Sequence, residues 1–155
     1  MSFNAEHRDA MGQSPVVVFV HLGNTLPRYA KMNLQYFKKE FPNRIVWFIS
    51  DSSDLLREIQ TLGVNTYHFS LNTIDKDIYF KHLNHPARFR EGFWFKTILR
   101  FNALANFQNE NNIPIIHLEN DVWLSSDFPF DKFNLLAASI AYPLLNESQG
   151  IASVM

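Results

Sequence analysis

An α/β fold, with a mostly parallel sheet and helices on both faces, is what this 155-residue sequence predicts. Two observations carry the prediction. Short runs of continuous apolar residues recur without polar alternation, as in strands buried on both faces. Between them lie amphipathic segments at helical spacing, so the order reads β-α-β-α, the pattern of parallel strands joined by crossover helices.

Taken in order, Pro15 to Val20 (PVVVFV) is the first buried strand. His21-Leu22-Gly23-Asn24-Thr25 follows as a loop, with Asn24 or Thr25 expected as helix N-cap and Pro27 early in the helix. Ala30, Leu34, Phe37 and Phe41 recur on one helical face, and Pro42-Asn43 ends that helix. Arg44 to Ser50 is the second strand, with Asp51 at its carboxyl end. Ser52 or Ser53 caps a short helix carrying Leu55, Leu56, Ile59 and Leu62, stopped by Gly63. Val64 to Phe69 is a third, shorter strand. Leu71 to Gly92 lacks clean periodicity and is read as a loop with a short helix. Phe93 to Asn109 is a long helix with an apolar stripe of Trp94, Ile98, Phe101 and Ala105. Ile113 to Leu118 and Leu135 to Tyr142 are the next strands, and Ile151 to Met155 opens a further one that the sequence does not complete. The expected organisation is a polar amino-terminal tail over residues 1–14 and one α/β domain over 15–155, incomplete at its carboxyl end.

Bulk composition narrows the function classes. With 46% hydrophobic and 15% aromatic residues the chain can build a core and is not globally disordered. A net charge of −1 gives no polyanion-binding field, so nucleic acid is not an expected partner. No run of 18 apolar residues exists, so no membrane span is expected. Zero cysteines removes disulfides, thiolate metal sites and cysteine nucleophiles together, which fits a cytoplasmic protein. A strand left incomplete leaves a sheet edge able to pair with another chain, so a homo-oligomer stays open.

The chemistry concentrates after the strand at 113–118, where the apolar run stops at Glu119-Asn120-Asp121 and resumes at once. Unpaired carboxylates at the mouth of a core strand are costly. A divalent cation offsets that cost, because Mg²⁺ and Mn²⁺ accept carboxylate and water oxygens and share them with substrate phosphates. In a strand Glu119 and Asp121 would share a face; the alternative is an Asp121 turn cap beside a solvated Glu119. Lys96 and Arg100 stand one turn apart on the long helix, a cationic pair suited to a diphosphate, or else a solvated edge. Asp51 could accept hydrogen bonds from a nucleotide or cap a helix, and His21, Gly23 and Asn24 lie where backbone amides could face phosphate. Neither G-x-G-x-x-G nor a P-loop is present. His82 and His85 lack a third zinc ligand, and His117 reads as a hydrogen-bonded core histidine.

Phe93-Trp94-Phe95-Lys96-Thr97-Ile98-Leu99-Arg100-Phe101, followed by His117-Leu118-Glu119-Asn120-Asp121-Val122, resembles the core of GT-A-fold glycosyltransferases. There a helix bearing an Arg leads into a strand ending in D-x-D. The resemblance spans roughly residues 15–155, with its specific part at 93–124. It implies a Rossmann-like, GT-A-type sheet and a nucleotide-diphosphate sugar donor, UDP-sugar first, held through Mn²⁺ or Mg²⁺. Carried onto matching positions, Asp121 would bind the metal and Glu119 the ribose, donor sugar or metal. Arg100 would contact the donor or diphosphate, and Asp51 the nucleotide. Glu stands at the first acidic place instead of the commoner Asp. Chains of that family continue further, so this one is expected to be an amino-terminal portion, or a divergent chain keeping only donor-side features. The acceptor and any catalytic residue are not readable. The alternative functions are a non-catalytic α/β binding or interaction module and a nucleotidyltransferase.

Overall fold

The computed structural model describes residues 14–71, 92–133, 144–146 and 149–150. The polar tail, the 72–91 segment with His82 and His85, and the strands expected at 135–142 and 151–155 lie outside those residues.

Six strands and four helices are present among the described residues: β1 (Val16–His21), α1 (Arg28–Glu40), β2 (Val46–Ser50), α2 (Ser53–Gln60), β3 (Asn65–His68), α3 (Phe93–Asn111), β4 (Ile115–Leu118), α4 (Phe130–Phe133), β5 (Leu144–Asn146) and β6 (Gln149–Gly150). The first four strands form one sheet in the order β3-β2-β1-β4. Every pairing in it is parallel, with Val18 opposite both Trp47 and His117. The short β5–β6 pair is antiparallel, which the sequence did not predict.

β1 explains why the sheet is covered twice. Its alternate residues serve opposite faces, so a Val-rich run with no polar break is what two-sided burial requires. Val17 and Phe19 pack with Leu34 and Phe37 of α1 and with Leu55, Leu56 and Ile59 of α2. Val16, Val18 and Val20 pack on the other face with Leu99, Ala103, Leu104 and Phe107 of α3.

The helix ends follow local chemistry. Pro27, not Asn24 or Thr25, holds the N-cap place of α1. Its carbonyl accepts from the amides of Ala30 and Lys31 at 3.0 and 3.2 Å. Ser52 caps α2, its hydroxyl accepting from the Leu55 amide at 3.4 Å. Asn112 ends α3 in the left-handed region, where a short polar residue is tolerated.

The stripe expected on α3 is out of phase with the buried one. Phe101 is 38% exposed and Ala105 is exposed, while Leu99, Ala103, Leu104 and Phe107 face the sheet. Apolar residues surround this helix, so spacing alone fits more than one face.

Candidate functional site

The order β3-β2-β1-β4 makes the chain step one way from β1 through β2 to β3 and return on the other side of β1 at β4. The place between β1 and β4, beyond their carboxyl ends, is therefore the topological switch point, the position at which open α/β sheets commonly bind ligands. His21, Asp51 and Glu119 each stand at or just after the carboxyl end of a strand of this sheet.

On the β1 side the loop is folded tightly. The Gly23 amide donates to Asp51 Oδ1 at 2.7 Å, and His21 Nε2 donates to the Thr25 carbonyl at 2.9 Å. Gly23 has φ +135°, a conformation that favours glycine. A Cβ placed there would stand 3.5 Å from Lys96 Nζ and 3.7 Å from His21 Nε2. His21, Gly23, Asp51 and Lys96 thus form one group, with Asn24 exposed beside it. Burial lowers the His21 pKa; the Thr25 carbonyl and Asp51 oppose that, and Lys96 adds to it.

On the β4 side Arg100 and Glu119 form an ion pair at 2.9 Å, with side chains 17% and 29% exposed. Asn120 Nδ2 donates to the Val20 carbonyl at 2.8 Å, tying this turn to β1. β4 stops at Leu118, and the Val122 amide returns to the Glu119 carbonyl at 3.0 Å. Glu119 and Asp121 therefore flank a turn and are not displayed by one strand face, contrary to the strand alternation expected of them. Asp121 is exposed, and among the described residues its carboxylate makes no hydrogen bond or ion pair.

Lys96 and Arg100 divide their work. Lys96 lies over the Gly23 loop, whereas the Arg100 charge is committed to Glu119. Arg100 Nε is buried with no partner, as is Nε2 of His117. His117 is 1% exposed and its Nδ1 donates to the Val18 carbonyl at 3.1 Å. Burial pushes its pKa down to about 4, the Val18 carbonyl opposing and Arg100 assisting.

Spacing arguments missed Asn33 and Tyr36. Asn33 Nδ2 donates to the carbonyls of Asn120 and Val122 at 3.1 and 2.8 Å, and Tyr36 Oη donates to the Leu124 carbonyl at 3.0 Å. One signal was available: Asn33 is a polar residue inside the buried stripe of α1.

No group of three or more His, Cys, Asp or Glu that could enclose a metal exists among the described residues. Mg²⁺ and Mn²⁺ are commonly bound by one or two carboxylates, with water and phosphate oxygens completing the shell. Asp121 is free for that role, and Glu119 could join only by sharing its carboxylate with Arg100.

No family profile matches this chain, and no curated protein does either. Among solved structures it is similar to one described as "PaToxG Glycosyltransferase", at 15% identity and a TM-score of 0.35. The match covers 74% of this chain and 46% of that one, so the chain spans less than half of that structure's length. So distant a likeness assigns neither residues nor activity. No helix among the described residues is long and apolar enough to cross a membrane.

Proposed function

We propose that this chain binds a nucleotide-diphosphate sugar, with UDP-sugar the first candidate, at the carboxyl edge between β1 and β4, and serves transfer of the sugar to an acceptor. The supporting observation is a set of polar groups at or near the carboxyl ends of β1, β2 and β4: a glycine loop pinned by Asp51 with the Lys96 ammonium beside it, and the Arg100–Glu119 pair two residues before the unpaired carboxylate of Asp121. The sequence resemblance over 93–124 points the same way.

Each residue then has a physical task. Gly23 lets a ligand approach the backbone closely, while His21 and Asn24 border the approach. Asp51 holds the loop through Oδ1 and keeps Oδ2 for a ribose or base. Lys96 offers a cation to the diphosphate, and Arg100, one turn further along the same helix, adds another, with Glu119 fixing its direction. A cation held by Asp121 would neutralise charge that builds on the departing diphosphate.

Calorimetry and thermal unfolding with UDP-, GDP- and CDP-sugars, with and without Mn²⁺, test this reading. A ligand at 100 times its Kd should stabilise by about 2.7 kcal/mol. The Mn²⁺-dependent part should vanish in Asp121→Ala, and Arg100→Ala should weaken binding. Affinity indifferent both to Mn²⁺ and to Asp121→Ala would sink the reading. One observation favours a second one, a non-catalytic module that binds no metal: Glu119 is already neutralised by Arg100. That module should show no response to Mn²⁺ plus any of these nucleotides. Analysis of products from an intact nucleotide-sugar separates sugar transfer from nucleotidyl transfer.

A further inference from the structure

Asn33 sits in the buried stripe of α1 with Ala30, Leu34 and Phe37, and is 1% exposed. An amide in such a place is costly unless its hydrogens find acceptors. Both are used on one target. They go to the carbonyls of Asn120 and Val122, the two residues that flank Asp121.

The same short segment is held at two further points. Asn120 reaches the Val20 carbonyl at 2.8 Å, which anchors the turn to β1. Tyr36 reaches the Leu124 carbonyl, and its ring lies 4.9 Å from that of Trp123. Residues 120–124 are therefore irregular in backbone yet fixed by side chains of α1 and by β1. Asp121 alone among 120–122 is fully outside this web, its side chain exposed between two pinned carbonyls.

We propose that Asn33 is a positioning residue: its amide clasps the backbone on both sides of Asp121 and presents that carboxylate to a divalent cation at the switch point. This rests on the reading of Asp121 as a metal ligand. The buried amide is explained by the turn it holds, since both of its hydrogens go to carbonyls of that turn. Partners that orient a metal ligand typically change metal affinity by 10–100-fold when replaced.

The test uses Asn33→Ala, which removes the donors without burying a charge, and Asn33→Asp, nearly the same shape with both donors lost. Hydrogen exchange of the amides at 119–124, measured without metal or nucleotide, should become at least tenfold faster in each variant. The Kd for Mn²⁺, measured with UDP present, should rise about tenfold or more, while UDP affinity in EDTA stays within twofold. Phe37→Leu, a core change on the same helix, should leave the Mn²⁺ affinity within twofold. If the Asn33 variants do not fold, both Nδ2 hydrogens of the wild-type protein should still be strongly protected from exchange; rapid exchange there refutes the clasp. Mn²⁺ affinity that is unchanged in folded Asn33 variants, or lost equally in Phe37→Leu, overturns the inference while leaving Asp121 as ligand. Unchanged Mn²⁺ affinity in Asp121→Ala instead overturns the metal reading, and the inference with it.

Discussion

His117 ties the stability of this protein to pH. Its imidazole is held neutral beneath α3, with a pKa lowered to about 4 by burial first and by Arg100 in addition. Since the folded-state value lies below the unfolded value of about 6.5, the unfolded chain takes up the extra proton. The stability contribution is full above pH 6.5 and is lost as pH falls through the interval toward 4. The gap is worth about 3 kcal/mol in full, and about 2 kcal/mol of it should be gone at pH 4.5. Other groups titrate over the same range, so the measurement is a difference between wild type and His117→Leu. Urea unfolding at pH 7 and pH 4.5 should show the leucine variant gaining about 2 kcal/mol relative to wild type. With a slope of about 2 kcal/mol/M that is about 1 M in relative midpoint. Midpoints that move in parallel from pH 7 to pH 4.5 would show that the imidazole is not held neutral by burial, and the account would be wrong.

Three further outcomes are expected. Gly23→Ala forces a side chain into φ +135°, which should cost about 1–3 kcal/mol in thermal unfolding and weaken nucleotide binding measured by calorimetry. A double-mutant cycle with Arg100→Met and Glu119→Gln should return a coupling of about 1 kcal/mol, between exposed and buried pairs, because both side chains are only partly exposed. Ser52→Ala removes the long cap bond to the Leu55 amide and should lower stability by about 0.5–1 kcal/mol in denaturant unfolding.

Much of the sheet was legible because its cause is local. The run at 16–20 has no polar residue, so it can only be a strand covered on both sides, and Pro42 and Gly63 punctuate where backbone chemistry requires it. The phase of α3 was not legible, since Phe93 and Phe101 are exposed beside a buried Leu99 and no spacing rule separates them. The edge residues were legible as a group through strand order. Their pairings were not: the bonds from Asn33 and Tyr36 to the 120–124 turn join residues more than 80 positions apart. For the same reason the cationic pair of Lys96 and Arg100 resolves in three dimensions into two separate neighbourhoods.

Trp123 is 49% exposed and rests against Tyr36, two residues beyond Asp121. An indole half in water emits according to how wet and how mobile its surroundings are. This molecule thus carries its own optical reporter two residues from Asp121, and Trp47, packed on Phe107 in the other core cluster, is far less placed to respond. With Trp47 and Trp94 changed to Phe, a plain emission titration would report any ligand that binds beside Trp123 without any dye or label.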